Sequence, residues 1–130
     1  MSEKILLTGA SGFIGTNLLE DLLAKGYEVK NLDWNEPKIP TRKNLWENVN
    51  IINYEKFEKA VIGFNPDYIV HLAARTDLDG KTLEDYDQNI TGVENLMKII
   101  HKLPNLKKII ITSSKFVTRN GYIIKNQHDY

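Results

Sequence analysis

A glycine-rich run between an apolar strand pattern and an amphipathic helix pattern is the feature that most constrains this chain. The run ILLTGASGFIG extends from Ile5 to Gly15 and carries three glycines at intervals of three residues. Gly9 permits a tight turn out of the strand, Gly12 permits a phosphate to approach the helix start, and Gly15 permits close packing of helix and strand. The run therefore predicts a site for a dinucleotide pyrophosphate.

An acidic residue ends the second strand pattern. Asp33 follows the glycines by about twenty residues, the spacing at which a carboxylate accepts hydrogen bonds from an adenosine ribose. Taken alone, Asp33 is equally typical of a turn, and glycines after a strand can serve packing only. The two features together favour a dinucleotide site.

Composition excludes several other classes of protein. The 130 residues are 42% hydrophobic, which predicts one domain with one core. Seventeen basic residues balance seventeen acidic ones, so no global charge favours nucleic acid or an anionic membrane. Cysteine is absent, which excludes disulfides and thiolate metal sites. The start MSEKILLTG shows neither a signal peptide nor a membrane span, and we expect a cytoplasmic protein.

Short apolar runs alternate with helical periodicity, a pattern typical of a parallel sheet with helices on both faces. The predicted strands are Lys4–Thr8, Glu28–Asp33, Val49–Ile52, Tyr68–His71 and Lys107–Thr112. Helices are predicted from Ile14 to Leu23 with Gly26 as the stop, around Phe57 and Val61, and from Thr82 to Lys102 with Thr82 and Asp85 as a capping pair. Right-handed crossovers favour an α/β Rossmann-type, doubly wound sheet of strand order 3-2-1-4-5. Residues 115–130 are predicted to be loop or irregular.

The third predicted helix, residues 82–102, has an unusually wide apolar face. Its apolar residues spread over an arc of about 200°, whereas one packed face needs roughly 100°. We therefore expect a second surface to cover part of this helix.

These landmarks resemble the extended short-chain dehydrogenase/reductases, the family that contains NAD-dependent nucleotide-sugar epimerases and dehydratases. The motifs that carry the resemblance are TGASGFIG at Thr8 to Gly15, Asp33, HLAA at His71 to Ala74, Asn89 to Gly92, and IIITSSKFV at Ile109 to Val117. They occur in the order and at the intervals of the family. The resemblance covers nearly the whole chain and implies NAD as the cofactor.

The resemblance also implies a role for individual residues. Around the pyrophosphate it places Gly9, Gly12, Phe13, Ile14 and Gly15, with Asp33 on the adenosine ribose and Asn50 and Ile51 beside the adenine. Under and beside the nicotinamide half it places Leu72, Ala73, Ala74 and Thr112, with Asn89 as a support from its helix. Asn50 stands where the family usually has an aspartate, and its amide still donates and accepts hydrogen bonds.

Ser114 matches the catalytic serine of the family, which hydrogen-bonds the sugar hydroxyl that is oxidised. The catalytic base of the family is the tyrosine of a Tyr-x-x-x-Lys pair after that serine. No such pair occurs in these 130 residues, and the later strands and the sugar-binding region of the family are also absent. The chain therefore resembles an N-terminal portion of such an enzyme, and we expect it to be inactive alone. In the family the third predicted helix lies near the subunit interface, so the resemblance implies that a partner copy in a homodimer, or the missing C-terminal half, covers its wide apolar face.

Three interpretations of function follow. The first is the cofactor-binding portion of a nucleotide-sugar epimerase or dehydratase, which transfers hydride through a keto-sugar intermediate. The second is a non-catalytic NAD-binding sensor or regulatory module, and the third is a pseudo-domain used only for assembly. No metal site is predicted, because His71, His101 and His128 lack ligand spacing. His71 is interpreted as a strand-end histidine with its hydrogen bonds satisfied.

Overall fold

The chain forms five parallel strands in the predicted order. A computed structural model describes residues 2–114 together with residues 121, 123, 125 and 126. The strands, in chain order, are β1 (Lys4–Thr8), β2 (Glu28–Asp33), β3 (Trp46–Asn48), β4 (Tyr68–His71) and β5 (Lys108–Ile111). They pair in the order β3-β2-β1-β4-β5, so β1 is central. The chain adds β2 and β3 on one side of β1 and then crosses to add β4 and β5 on the other side. The predicted fold class and strand order are confirmed. Most of the irregular segment predicted at 115–130 lies outside the described residues.

Three α-helices connect these strands, and local residues set their ends. They are α1 (Phe13–Ala24), α2 (Tyr54–Phe64) and α3 (Asp87–Ile100), with short 3₁₀ helices at Pro40–Leu45 and Glu84–Tyr86. After α1, Gly26 has φ +85°, and the N–H of Tyr27 returns to the carbonyl of Leu22. This is the left-handed stop predicted for that glycine. The side chain of Asn53 caps α2 by accepting from the N–H of Lys56.

Side chains alternate along β1 between two apolar layers, because successive residues of a strand point to opposite faces. Ile5 and Leu7 pack in a cluster with Leu19 of α1. Leu6 packs in the opposite cluster, which includes Phe57 of α2 and further residues of α3. Helices therefore cover both faces of the sheet, as the apolar runs of the strands predict.

The position predicted for the third strand is wrong. The strand is Trp46–Asn48, paired with Asn31–Asp33, and not Val49–Ile52. Val49 and Ile51 are each only 3% exposed, but they belong to the turn that follows the strand. The N–H of Val49 still donates to the carbonyl of Asp33 at 3.3 Å, but the apolar character of both residues reflects burial against the core. The edge strand itself contains Trp46 and two exposed polar residues.

The start predicted for the third helix is also wrong. The α-helix begins at Asp87, after the 3₁₀ helix, and not at Thr82. Thr82 and Asp85 do pair, because the Asp85 carboxylate accepts from the backbone N–H and the hydroxyl of Thr82 at 2.9 and 3.2 Å. This pair closes a turn before the helix instead of capping the helix itself.

The wide apolar face of α3 is only partly covered by the described residues. Leu96 and Ile99 are fully buried, whereas Ile90 is 42% exposed. The neighbouring strand β5 also leaves Ile110 and Ile111 exposed, at 53% and 39%. The second cover predicted for this side of the molecule remains a prediction. None of the helices in the described part of the chain has the length and apolar character needed to cross a bilayer.

Candidate functional site at the carboxyl ends of the strands

Gly9 and Gly15 are required by the fold of the loop after β1. Gly9 has φ +73°, and a Cβ on it would lie 2.7 Å from the backbone nitrogen of Ala73. A Cβ on Gly15 would lie 2.3 Å from the Cα of Ala10. Two of the three glycines are therefore explained by close approaches of the backbone inside the chain.

Gly12 differs from the other two glycines. Its φ of −78° and ψ of −179° are extended values that any residue adopts. Among the described residues, apart from its chain neighbours, a Cβ on Gly12 would meet only the carbonyl oxygen of Gly9 within 4 Å, at 3.4 Å. Nothing in the fold of the described residues therefore demands a glycine here. The side-chain position opens into space directly in front of α1.

The first turn of α1 adds an electrostatic reason for an anion at this place. Gly12 is the N-cap, so no side chain caps the helix, and the first turn carries no acidic residue. The first N–H groups of a helix have no partner within it, and the helix dipole favours negative charge there. Phe13 and Ile14, 80% and 63% exposed, stand beside these amides. The arrangement suits a phosphate group.

Asp33 connects the end of β2 to the glycine-rich loop. Its carboxylate accepts from the backbone N–H of Ser11 at 3.0 Å and of Asn35 at 2.9 Å, and the residue is 8% exposed. An ionised carboxylate offers about four lone-pair sites, so two bonds leave capacity for a ribose hydroxyl. The predicted contact with a ribose remains a prediction.

A buried polar network under the loop was not predicted from the sequence. The side-chain oxygen of Asn31 accepts from the N–H of Ala10 at 3.1 Å, and its amide donates to the hydroxyl of Ser11 at 3.1 Å. That hydroxyl donates in turn to the carbonyl of Asn35 at 2.8 Å. The network fixes the loop on β2. Asn31 lies two residues after Val29, so both fall on the same buried face of β2, and a polar residue at that spacing was the available signal.

The predicted adenine residues lie in the turn after β3. The side chain of Asn50 accepts from the N–H of Ile52 at 3.1 Å, an Asx turn. Ile51 is buried, and a Cβ on Gly92 of α3 would lie 2.4 Å from its Cδ1. Asn95 of α3, also missed, donates to the carbonyls of Ile51 and Ile52 at 2.9 and 3.0 Å. The Ile51 side chain therefore faces the core, and a role beside the adenine remains a prediction.

The segment Leu72–Ala74 leaves β4 directly beside Gly9. The N–H of Leu72 donates to the carbonyl of Thr8 at 3.0 Å, and the N–H of Ala73 donates to the Thr8 hydroxyl at 3.2 Å. Asn89 holds the next residue, Arg75, by accepting from its N–H at 2.7 Å and donating to its carbonyl at 2.9 Å. Asn89, which was predicted to support the nicotinamide half from its helix, thus hydrogen-bonds the residue that follows Ala74.

The loop between Arg75 and Tyr86 is organised by the Arg75 side chain, which the sequence analysis did not single out. The guanidinium donates to both carboxylate oxygens of Asp77 and to the carbonyl of Asp85 at 2.8 Å. Its carbon also lies 5.2 Å from the centre of the Tyr86 ring. These contacts fold the loop onto itself at the carboxyl end of β4.

Thr112 and Ser114 follow β5 at the same edge of the sheet. The N–H and hydroxyl of Thr112 donate to the carbonyl of His71 at 3.2 and 3.1 Å. Ser114 is exposed two residues further along. The structure thus brings the exits of β1, β4 and β5 together, and these exits carry most of the predicted site.

His71 is only partly satisfied, contrary to the interpretation from the sequence. Its Nδ1 lies 2.7 Å from the Thr8 hydroxyl, but its buried Nε2 has no hydrogen-bond partner within the described part of the chain. Burial lowers the pKa of His71 to about 4, so the ring is neutral at neutral pH. Among the described residues no group of acidic or histidine side chains could hold a metal ion.

The depressed pKa of His71 predicts a loss of stability in mild acid. Below about pH 6.5 the unfolded chain binds a proton at this residue, whereas the folded chain stays neutral down to pH about 4. The free energy of unfolding should therefore fall between these values, by up to roughly 3 kcal/mol. Urea unfolding of wild type and His71→Asn at several pH values measures this. Parallel pH profiles for the two proteins would contradict it.

Comparison with known proteins assigns a family to this arrangement. The model of the NAD dependent epimerase/dehydratase family matches residues 5–124, a range that includes every motif of the predicted resemblance. A 3-beta-hydroxysteroid dehydrogenase of Mycolicibacterium neoaurum is 34% identical over 95% of the chain and 35% of its own length. An N-acetyl-alpha-D-glucosaminyl-diphospho-ditrans,octacis-undecaprenol 4-epimerase of Escherichia coli O157:H7 is 35% identical over 88% of the chain and 33% of its own length.

A solved structure of an enzyme is also similar to this chain. UDP-glucose 4-epimerase of Thermus thermophilus, in complex with NAD, superposes with a TM-score of 0.70 and 29% identity. The match covers 82% of this chain and 36% of that enzyme. The chain thus spans about a third of the length of the proteins it matches.

Proposed function

Because the chain belongs to the NAD-dependent epimerase/dehydratase family, we propose that residues 1–130 form one domain that binds NAD for hydride transfer on a nucleotide sugar through a keto-sugar intermediate. NAD, when bound, supplies the hydride acceptor and donor of such a reaction. The proposal concerns the cofactor half of an enzyme, since the chain spans about a third of its relatives.

One observation supports the cofactor site most strongly. Gly12 has no side chain although the fold of the described residues would accept one, and it is the N-cap of α1, whose first turn has neither a side-chain cap nor an acidic residue. A pyrophosphate needs this combination of space, free amides and positive dipole. The residues present therefore fit the dinucleotide that the family uses.

The remaining site residues would each act on one part of NAD. Phe13 and Ile14 would offer backbone amides to the pyrophosphate, and Asp33 would accept from the adenosine ribose. Asn50 would face the adenine. In the nicotinamide half, Leu72–Ala74 would form the floor and Thr112 one wall. Ser114 would orient the substrate hydroxyl by a hydrogen bond.

The nucleotide sugar is the more specific part of the proposal. The Thermus thermophilus relative is a UDP-glucose epimerase, and the Escherichia coli relative is an epimerase of a lipid-linked diphospho-sugar. The Mycolicibacterium relative is a hydroxysteroid dehydrogenase of similar identity. Shared similarity across such different substrates indicates that these residues define the cofactor half more than the substrate.

We expect NAD to bind at least about tenfold more tightly than NADP. The buried Asp33 carboxylate would repel a 2′-phosphate. Arg42 and Lys43, which follow Asp33 in the chain, are paired with Glu20 and Glu36, at 2.6 Å each. Calorimetric titration with both cofactors measures the ratio.

Two variants sharpen this cofactor test. Asp33→Asn should reduce the preference for NAD, whereas Asp21→Asn, the same change at an exposed position of α1, should leave it unchanged. Equal or tighter binding of NADP by wild type would remove Asp33 from the ribose site.

A further inference from the structure

A buried polar contact joins β1 to β4 in an otherwise apolar part of the sheet. Thr8 is fully buried and His71 is 2% exposed, and the Thr8 hydroxyl lies 2.7 Å from Nδ1 of His71. The same hydroxyl accepts from the N–H of Ala73 at 3.2 Å. The carbonyl of His71 accepts two bonds from Thr112 at the exit of β5. His71 therefore contacts all three strand exits around the nicotinamide half of the proposed site.

The proton positions in this contact follow from the chemistry of a hydroxyl, which has one proton to donate. Since the Thr8 oxygen already accepts from Ala73, its own proton is best used on Nδ1 of His71. A neutral ring that accepts at Nδ1 carries its proton on Nε2. That Nε2 is buried without a hydrogen-bond partner among the described residues. Burying an Nε2–H group without a hydrogen-bond partner destabilises the fold. We therefore attribute the presence of a histidine here to the hydrogen bond at Nδ1.

We propose that His71 is a positioning residue for the nicotinamide half of NAD, acting through the Thr8 hydroxyl on the Ala73 amide. This inference rests on the proposed NAD site. The Ala73 backbone crosses Gly9 so closely that a Cβ on Gly9 would lie 2.7 Å from the Ala73 nitrogen. This close crossing restricts the position of the Ala73 backbone, which would lie under the nicotinamide half of the cofactor. His71 orients the hydroxyl that keeps it there.

The adenosine half is held by a separate set of bonds. Asn31, Ser11 and Asp33 fix the glycine-rich loop to β2, and none of these bonds includes Thr8 or His71. Loss of the His71 contact should therefore affect the two halves of the dinucleotide unequally. A general weakening of the fold would affect both halves.

The experiment compares NAD with ADP, which carries only the adenosine half and the diphosphate. Wild type, His71→Leu, His71→Asn and His71→Gln are titrated with both by calorimetry. We expect His71→Leu to bind NAD about tenfold more weakly and ADP unchanged, because the released Ala73 segment must be ordered on binding. Asn offers an acceptor near the position of Nδ1 and should restore NAD affinity. Gln places its polar group near Nε2 and should behave like Leu.

Thr8→Val provides an independent variant that keeps the shape of Thr8 and removes its hydroxyl. It should lower NAD affinity as His71→Leu does, and the double variant should show no further loss, since both remove one contact. Equal weakening of NAD and ADP, or unchanged NAD affinity in all variants, would overturn the inference while wild-type NAD binding upheld the proposed function. Failure of wild type to bind NAD would overturn both.

Discussion

Gly12→Val is expected to weaken NAD binding by more than about a hundredfold while the protein stays folded. A valine side chain would occupy the open space in front of α1, where the pyrophosphate is proposed to lie. Inside the chain a Cβ at this position meets only the Gly9 carbonyl oxygen, at 3.4 Å, and the backbone is extended. Calorimetry with NAD and circular dichroism measure the two effects separately.

Gly63→Val is the matched control for this variant. Gly63 lies in α2, and a Cβ on it would meet no atom of the described residues within 4 Å outside its own helix and chain neighbours. It should retain wild-type NAD affinity. Gly9→Val should instead unfold the loop, because its Cβ would lie 2.7 Å from the Ala73 nitrogen and its φ is +73°. Wild-type affinity in a folded Gly12→Val protein would show that the phosphate site has been misplaced.

The second large effect concerns turnover. We expect no conversion of UDP- or dTDP-sugars by these 130 residues alone, and conversion by a longer chain that carries a Tyr-x-x-x-Lys pair after Ser114. Ser114 can orient a hydroxyl but cannot remove its proton at neutral pH. General-base catalysis contributes about 10² to 10⁴ in rate. NADH absorbance and product sugars are followed for both proteins.

Neighbouring serines provide the control for this experiment. In the longer chain, Ser114→Ala should lower kcat and Ser113→Ala should not. Turnover by the 130 residues alone would contradict the requirement for the pair. A longer chain that binds NAD but shows no turnover would favour the interpretation as an NAD-binding regulatory module.

The central strands could be predicted from local pattern. The bounds of β1, β2 and β4 agree with the prediction, because their apolar runs are bordered by Gly9, Gly26 and the turn at Asn65. The third strand was misplaced for a physical reason. Buried Val49 and Ile51 carry the apolar signal, whereas the paired edge strand Trp46–Asn48 contains the exposed polar residues Glu47 and Asn48. In this segment the most buried residues and the residues paired in the strand are different residues.

Candidate site residues could be named from the sequence where a position accepts few residue types, and their contacts with a cofactor stay predictions. Glycines between a strand and a helix, and an acid at the end of the next strand, have this property. Asn31 and Asn95 were missed because their partners lie elsewhere in the fold, such as Ala10 for Asn31. The partners of Arg75 lie within the same loop, at Asp77 and Asp85, and no regular pattern in the sequence marks them. The difference between Gly12 and its two neighbours could be recognised only once surrounding atoms were placed.

The central claim, that the start of α1 binds the pyrophosphate of NAD, is tested most directly by an amide-resolved NMR titration with NAD. The account predicts saturable shifts at the N–H groups of Gly12, Phe13 and Ile14, with further shifts at Ser11 and Ala73. The C-terminal end of α2 around Gly63, which leads to the start of β4 at the opposite end of the sheet, should show none. Absence of shifts at the start of α1 at saturating NAD, or shifts confined to other parts of the chain, would contradict the account.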